Sequence, residues 1–178
     1  MDILLEFVQL IVRLIMTLLI FRFWMQWAGV NFYNPIAQLV VRFSEPMTHA
    51  IRRIFPQNRR YDWASLIASL LLAILLYLLY FAMLDFNLAR IETIFIRSLL
   101  LVLNVTLSTL FFTLIIRAIA SWIAVNGNNP ALDLINQLTD PLLFPIRRII
   151  PPSGGLDFSP MILMMIVWFA IRILQHYF

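Results

Sequence analysis

Two stretches of this chain, 95 residues apart, share one frame. Asn34-Pro35, Pro46, Ile51-Arg52-Arg53-Ile54, Pro56 and Asp62 recur as Asn129-Pro130, Pro141, Ile146-Arg147-Arg148-Ile149, Pro151 and Asp157, and Glu45 is answered by Asp140. Arg22, Trp27 and Asn31 extend the match upstream to Arg117, Trp122 and Asn126. With Val30/Val125 and Leu39/Leu134, 14 of the 41 positions from Arg22 to Asp62 are identical, and most are Arg, Pro, Asn, Trp or Asp, which shared apolar composition does not supply. Self-similarity at a fixed spacing has to be settled before any fold is assigned. Two copies imply a duplicated unit, not a solenoid.

The unit has to fold in lipid. Hydrophobic residues fill 62% of the chain and charged residues 12%, against roughly 45–50% and about 25% in soluble domains. There is no cysteine, so disulfides, thiol catalysis and Cys-ligated metals are excluded. Basic character comes from 13 arginines without a lysine, against 9 acids. These arginines border apolar segments, so anionic lipid headgroups are the expected counter-charge, and no nucleic acid is. Asp2 and Glu6 replace the basic start of a secretory leader, so the first apolar segment is expected to be retained.

A helix needs about 20 residues to cross the hydrocarbon, and four segments qualify: about 3–27, 63–84, 94–116 and 158–173. In the first, Glu6, Gln9, Arg13 and Thr17 fall within one sector at helical spacing. In the third, Arg97, Asn104 and Ser108 share a face, and the 95-residue shift lays Asn104 on Gln9 and Ser108 on Arg13. Such stripes line an aqueous path or act as interhelical glue. Arg22 is expected to snorkel to the interface, with Trp24 and Trp27 in an aromatic belt.

Between the spans, Asn34 and Asn129 are placed to cap short helices with proline in the first position. In the first, Ile36, Leu39, Val40 and Phe43 make an apolar stripe while Gln38, Arg42 and Glu45 face away; in the second, Leu134, Ile135 and Leu138 oppose Asp133, Gln137 and Asp140. Pro46 is expected to end the first helix, with a second piece from Met47 to Phe55, giving interfacial amphipathic hairpins over 34–56 and 129–151. Asn31 and Asn126 read as turn residues.

The expected fold is therefore an all-α membrane protein of four transmembrane helices in two tandem units, 1–90 and 91–178, each a span, an amphipathic hairpin and a span. Two spans per unit make the copies parallel, unlike the inverted repeats of many transporters. The loop over 28–62 holds five arginines and that over 118–157 holds two. By the positive-inside rule both loops are cytoplasmic and both termini lie outside.

The run from Asp140-Pro141 through Phe144-Pro145-Ile146-Arg147-Arg148, Pro151-Pro152, Gly154-Gly155 and Asp157 to Pro160 resembles the YggT family of small integral membrane proteins, as do Trp24 to Trp27 and Phe32 to Pro35. The resemblance covers essentially the whole chain. It departs at Gln57 to Tyr61, where a basic turn replaces the Pro-Ser-Gly-Gly turn of the second copy. It implies a bacterial inner-membrane protein without an established reaction. It links the family to osmotic or cation stress and cell division, with plastid relatives linked to cytochrome b6 haem attachment and nucleoid distribution. A membrane organising or assembly factor is the role it implies.

Arg52, Arg53, Arg147 and Arg148 are candidates for contact with anionic lipid or a protein partner, since arginine presents a planar fork of donors; the simpler reading is a topology signal. Asp62 and Asp157 either pair with Arg22 and Arg117 or cap the spans that follow, and capping is preferred. Glu45 and Asp140, each before a proline, have the same two readings. His49 and His176 are the only histidines, and no phosphate loop or carboxylate pair accompanies them, so neither an enzyme nor a metal or cofactor site is expected. Two functions follow: a scaffold or assembly factor working through the arginine hairpins with lipids or other membrane proteins, or a small homo-oligomeric ion channel or transporter lined by Glu6, Gln9, Arg13, Arg97, Asn104 and Ser108.

Overall fold

A computed structural model describes residues 2–55, 61–84, 91–122, 129–150 and 157–176. Among these there are six helices and no strand: α1 (Asp2–Ala28), α2 (Pro35–Arg52), α3 (Trp63–Leu84), α4 (Ile91–Trp122), α5 (Pro130–Ile149) and α6 (Ser159–His176). Four of them, α1, α3, α4 and α6, are long and apolar enough to cross a membrane. The turns at 56–60 and 151–156, the expected unit boundary near 90 and the Asn126 turn lie outside the described residues.

At 1.5 Å per residue the 27 residues of α1 reach about 40 Å, and the 18 of α6 about 27 Å. The first exceeds the hydrocarbon thickness of about 30 Å and the second falls slightly short of it. α1, α3 and α4 pack on one another, while α6 packs on α4 and α5. Met16, Ile20, Ala73, Leu76, Leu101 and Val105 form the core among the first three. Lipid offers no hydrophobic force between helices, so small residues that let backbones approach become the contact surface. On α3 these are Ala64, Ser65, Ala68, Ser69 and Ala73, all buried. Ser98, Thr109 and Thr113 on α4 are buried too, each satisfied by donating to the carbonyl one turn back, at 2.7 Å.

α1 ends in a Schellman turn. Gly29 adopts φ +70, Val30 N–H donates to Met25 O at 3.0 Å and Gly29 N–H to Gln26 O at 3.2 Å. The accompanying apolar contact is present, since Val30 and Met25 share a core with Trp24, Ala37, Val40, Leu134 and Leu138. Asn31 then makes an Asx turn, its Oδ1 accepting from Tyr33 N–H at 3.0 Å. Asn34 caps α2 through Ile36 N–H, and Asn129 caps α5 through Ala131 N–H, with proline next in both. α2 and α5 pack on each other and on α1, making a second layer at one end of the spans.

Three expectations give way here. The hairpins are single helices: α2 runs unbroken through Pro46, and α5 through Pro141 and Pro145. An internal proline costs a helix about 3 kcal/mol, but bonds across it hold both sides. Arg22 binds Val41 O and Ser44 before Pro46 and Thr48 after it, and Arg52 reaches back to Glu45. The apolar stripe of α2 also divides. Val40 is buried with Ala37, Ser44 and Thr48, whereas Leu39 and Phe43 are exposed. In a helix at a membrane surface, small and hydroxyl residues can face protein while large apolar ones face lipid. Finally, Arg22 does not snorkel and Trp24 is not in a belt: both are buried, the arginine because it has carboxylate partners and the indole because it fills the core beneath α2 and α5.

Candidate functional site

Arg22 lies on the last third of α1, where α2 folds back over it and Asp62 leads into α3. Its Nη2 meets Glu45 Oε2 at 2.6 Å and its Nε meets Asp62 Oδ2 at 3.1 Å. Nη1 donates to Ser44 Oγ at 2.8 Å and Thr48 Oγ1 at 3.2 Å. Arg52 joins the same acids, at 3.2 Å to Glu45 and 2.7 Å to Asp62. Ser65 donates to Asp62 at 2.8 Å. One guanidinium thus ties three helical segments together.

The positions 95 residues on build a second network. Arg117 Nη2 pairs with Asp140 at 2.7 Å, and Nη1 donates to Asn136 O at 3.2 Å and to Thr139. Arg147 pairs with Asp140 at 3.2 Å and grips Asp157 Oδ2 through Nε at 2.9 Å and Nη2 at 2.6 Å. Asp157 also accepts from Ser159 N–H at 3.0 Å, so it caps α6 while it pairs. Capping and pairing thus coincide at Asp157, but its cation is Arg147 and not the expected Arg117. At Asp62 the expected pair with Arg22 forms, and the carboxylate accepts from the Ser65 hydroxyl.

The two networks differ in water. The side chain of Asp62 is 1% exposed and that of Arg22 5%; Asp157 is 26% exposed and Arg117 11%. Hydrogen bonding from Arg22 holds the Glu45 carboxyl below its ordinary range, against burial. Burial pushes the Asp157 carboxyl up, but hydrogen bonds from Arg147 and Ser159 outweigh it and leave it low. Arg147 is pulled down by burial and raised overall by Asp157 and Asp140. A carboxyl lowered in the folded state stabilises the fold above its unfolded pKa and loses that contribution as pH falls through the folded value. Thermal stability in detergent is therefore expected to be flat near neutrality and to fall below about pH 4, and Asp157→Asn is expected to shrink that fall.

Of each arginine pair, the first member is turned into a network and the second is exposed. Arg148 lies over the Phe144 ring at 4.4 Å from its centroid, and Arg53 faces outward from the end of α2. The polar stripes do meet. Glu6, Gln9 and Arg97 line a cavity of about 410 Å³ together with Tyr77 and Tyr80 of α3. Arg13, Thr17, Asn104 and Ser108 line a neighbouring cleft of about 290 Å³ between α1 and α4. Sequence reasoning missed the hydroxyl partners Ser44, Thr48, Ser65 and Thr139. A faint signal was available, since Ser44 and Thr139 sit in register beside the repeated acid. Among the described residues no group of His, Asp or Glu gathers as metal ligands.

A chain with four membrane-length helices, a layer of two amphipathic helices and two arginine–carboxylate networks is a multi-pass membrane protein. The CCB3/YggT family profile matches it over residues 1–83 and over 96–178, and the chain belongs to that family. It is 37% identical over 158 residues to the YggT protein of Escherichia coli K12, covering 89% of this chain and 81% of that one. A Pseudomonas aeruginosa protein is 35% identical over 153 residues, 85% of this chain and 78% of its own, and a Haemophilus influenzae protein 33% over 163 residues, 92% and 86%. All three relatives are named as uncharacterized. No solved structure matches.

Proposed function

We propose that the chain is a non-enzymatic scaffold or assembly factor of the bacterial inner membrane, made of two tandem, parallel units with α2 and α5 on the cytoplasmic side. The observation that carries this reading is the layer itself. α2 and α5 are joined, with Asn31 N–H donating to Gln137 at 2.8 Å and the Asn34 amide to Pro130 O at 2.6 Å. The networks clamp each helix to its spans and leave Arg53 and Arg148 outward at the helix ends. A rigid ledge with outward guanidiniums suits anionic headgroups or an acidic partner. Photocrosslinkers at the exposed neighbours Ile54 and Ile149 in cells are expected to trap one common protein, lost when Arg53→Ala and Arg148→Ala are added. Failure of both positions to give any shared adduct sinks the scaffold.

A second reading is a small channel, which suits the osmotic association of the family resemblance. The observation favouring it is that the polar stripes of α1 and α4 meet and border two cavities. Ion flux into liposomes holding folded protein, abolished by Arg13→Leu, would move the assignment there. No flux across K⁺, Na⁺ and Cl⁻ gradients leaves the scaffold.

A further inference from the structure

The two networks share a frame and each borders a cavity. The one beside the first, about 740 Å³ along α2, is lined by Glu45 and by neither Arg22 nor Arg52, whereas the one beside the second is lined by both of its arginines. Arg117, Arg147, Asp157 and Asn136 supply its polar wall, and Ala120, Leu132, Ile135 and Pro160 supply the rest, around about 270 Å³. Shifted back by 95 residues, Ala120 becomes Met25, Asn136 becomes Val41 and Pro160 becomes Ser65. Met25 is fully buried in a core with Ala37 and Val40, the positions that correspond to Leu132 and Ile135 of the cavity wall. The first copy thus has a buried methionine side chain where the second has only a methyl group. Ala37→Leu132 runs the other way and adds bulk, yet the cavity remains. Greater exposure of Arg117, Arg147 and Asp157 is its consequence.

We infer that this cavity binds one membrane glycerophospholipid with an ammonium headgroup, its phosphate on Arg117 and Arg147 and its ammonium on Asp157. Three features of the lining carry the inference. Two guanidiniums converge on one wall, and arginine forks match phosphate oxygens. A carboxylate stands with them, held by Arg147 and Ser159 N–H, so the wall carries both signs; it disfavours a purely anionic headgroup, and a primary ammonium can join Arg147 as a donor to Asp157. The remaining wall, Ala120, Leu132, Ile135 and Pro160, is apolar and offers a surface on which the start of an acyl chain can lie. The site does not depend on the scaffold reading, because it uses the inward arginines and not Arg53 or Arg148.

The test is native mass spectrometry of the full chain in mild detergent, titrated with phosphatidylethanolamine, phosphatidylcholine and phosphatidylglycerol of identical acyl chains. Phosphatidylcholine keeps the phosphate and removes the N–H donors; phosphatidylglycerol keeps the phosphate and removes the cation. The expected result is one phosphatidylethanolamine per chain, held about tenfold more tightly than either alternative, a factor worth about 1.4 kcal/mol. Ala120→Met, which installs the first copy's own side chain, is expected to erase the preference. Equal binding of the three lipids by wild type overturns the headgroup assignment, whether or not the variant folds. An unchanged preference in folded Ala120→Met overturns the location.

Discussion

Arg22→Met is expected to destabilise the protein by about 3 kcal/mol, and Arg117→Met by about 1 kcal/mol. Removing one partner of a buried ion pair leaves an uncompensated charge, which is why such changes cost more than the intact pair contributes. Arg22 leaves Asp62 fully buried with Arg52 as its remaining cation, so the estimate sits at the low end for buried pairs. It also releases three bonds that hold α2 straight around Pro46. Arg117 faces Asp140, whose side chain is 52% exposed and can take water in its place. Thermal unfolding in lipid nanodiscs reads both values. Adding Asp62→Asn to Arg22→Met is expected to recover part of the loss, because the network is then neutral again. Equal losses from the two arginines would mean that burial does not set the difference, and no loss from Arg22→Met would mean that the network does not hold α2.

The presence of the four spans and of both asparagine caps was legible because each rests on local chemistry: about 20 apolar residues, or a side-chain oxygen followed by proline. The limits of the third span were not, since α4 runs three residues before and six beyond the expected 94–116. The second span, 63–84, coincides with α3. What was not legible depended on three dimensions. Pro46 looks like a break because the bonds that bridge it come from α1, some twenty residues away. Leu39 and Val40 look alike in an amphipathic pattern, yet one faces out and the other faces Trp24 and Leu138; a pattern distinguishes apolar from polar, and here the division is between protein and lipid. Arg52 and Arg53 are equivalent as letters. Their fates separate because position 52 lies two helical turns beyond Glu45, on the same side, and position 53 lies one step round the helix. Asp62 offered a choice between capping and pairing that local sequence cannot make, since its partners sit on α1 and α2. The stripes, by contrast, were legible on each helix, and the meeting of α1 with α4 gathers them.

Arg13→Leu is expected to act in the opposite direction, raising stability by about 2 kcal/mol. Arg13 is nine residues from Arg22 on α1, about 14 Å along the axis, which puts it near the middle of a 30 Å hydrocarbon layer if the networks mark one edge. It is exposed, and among the described residues no carboxylate lies within ion-pair distance of it. An arginine at that depth costs about 2.5–3.5 kcal/mol on insertion scales, whereas leucine is slightly favourable. Hydration from the cleft it shares with Asn104 and Ser108 lowers that cost, which is why the expected gain is smaller than the full difference. The same nanodisc unfolding measures it. A loss of stability in Arg13→Leu would make the guanidinium interhelical glue, bonded across the cleft to α4. A gain places Arg13 among residues whose presence opposes folding, and such a residue has to be explained by what the cleft does. The liposome flux assay then decides between the two functions: a stabilised variant that has lost flux identifies the stripe as the conducting path, and a stabilised variant of a protein that never conducted points to a partner helix that covers the cleft.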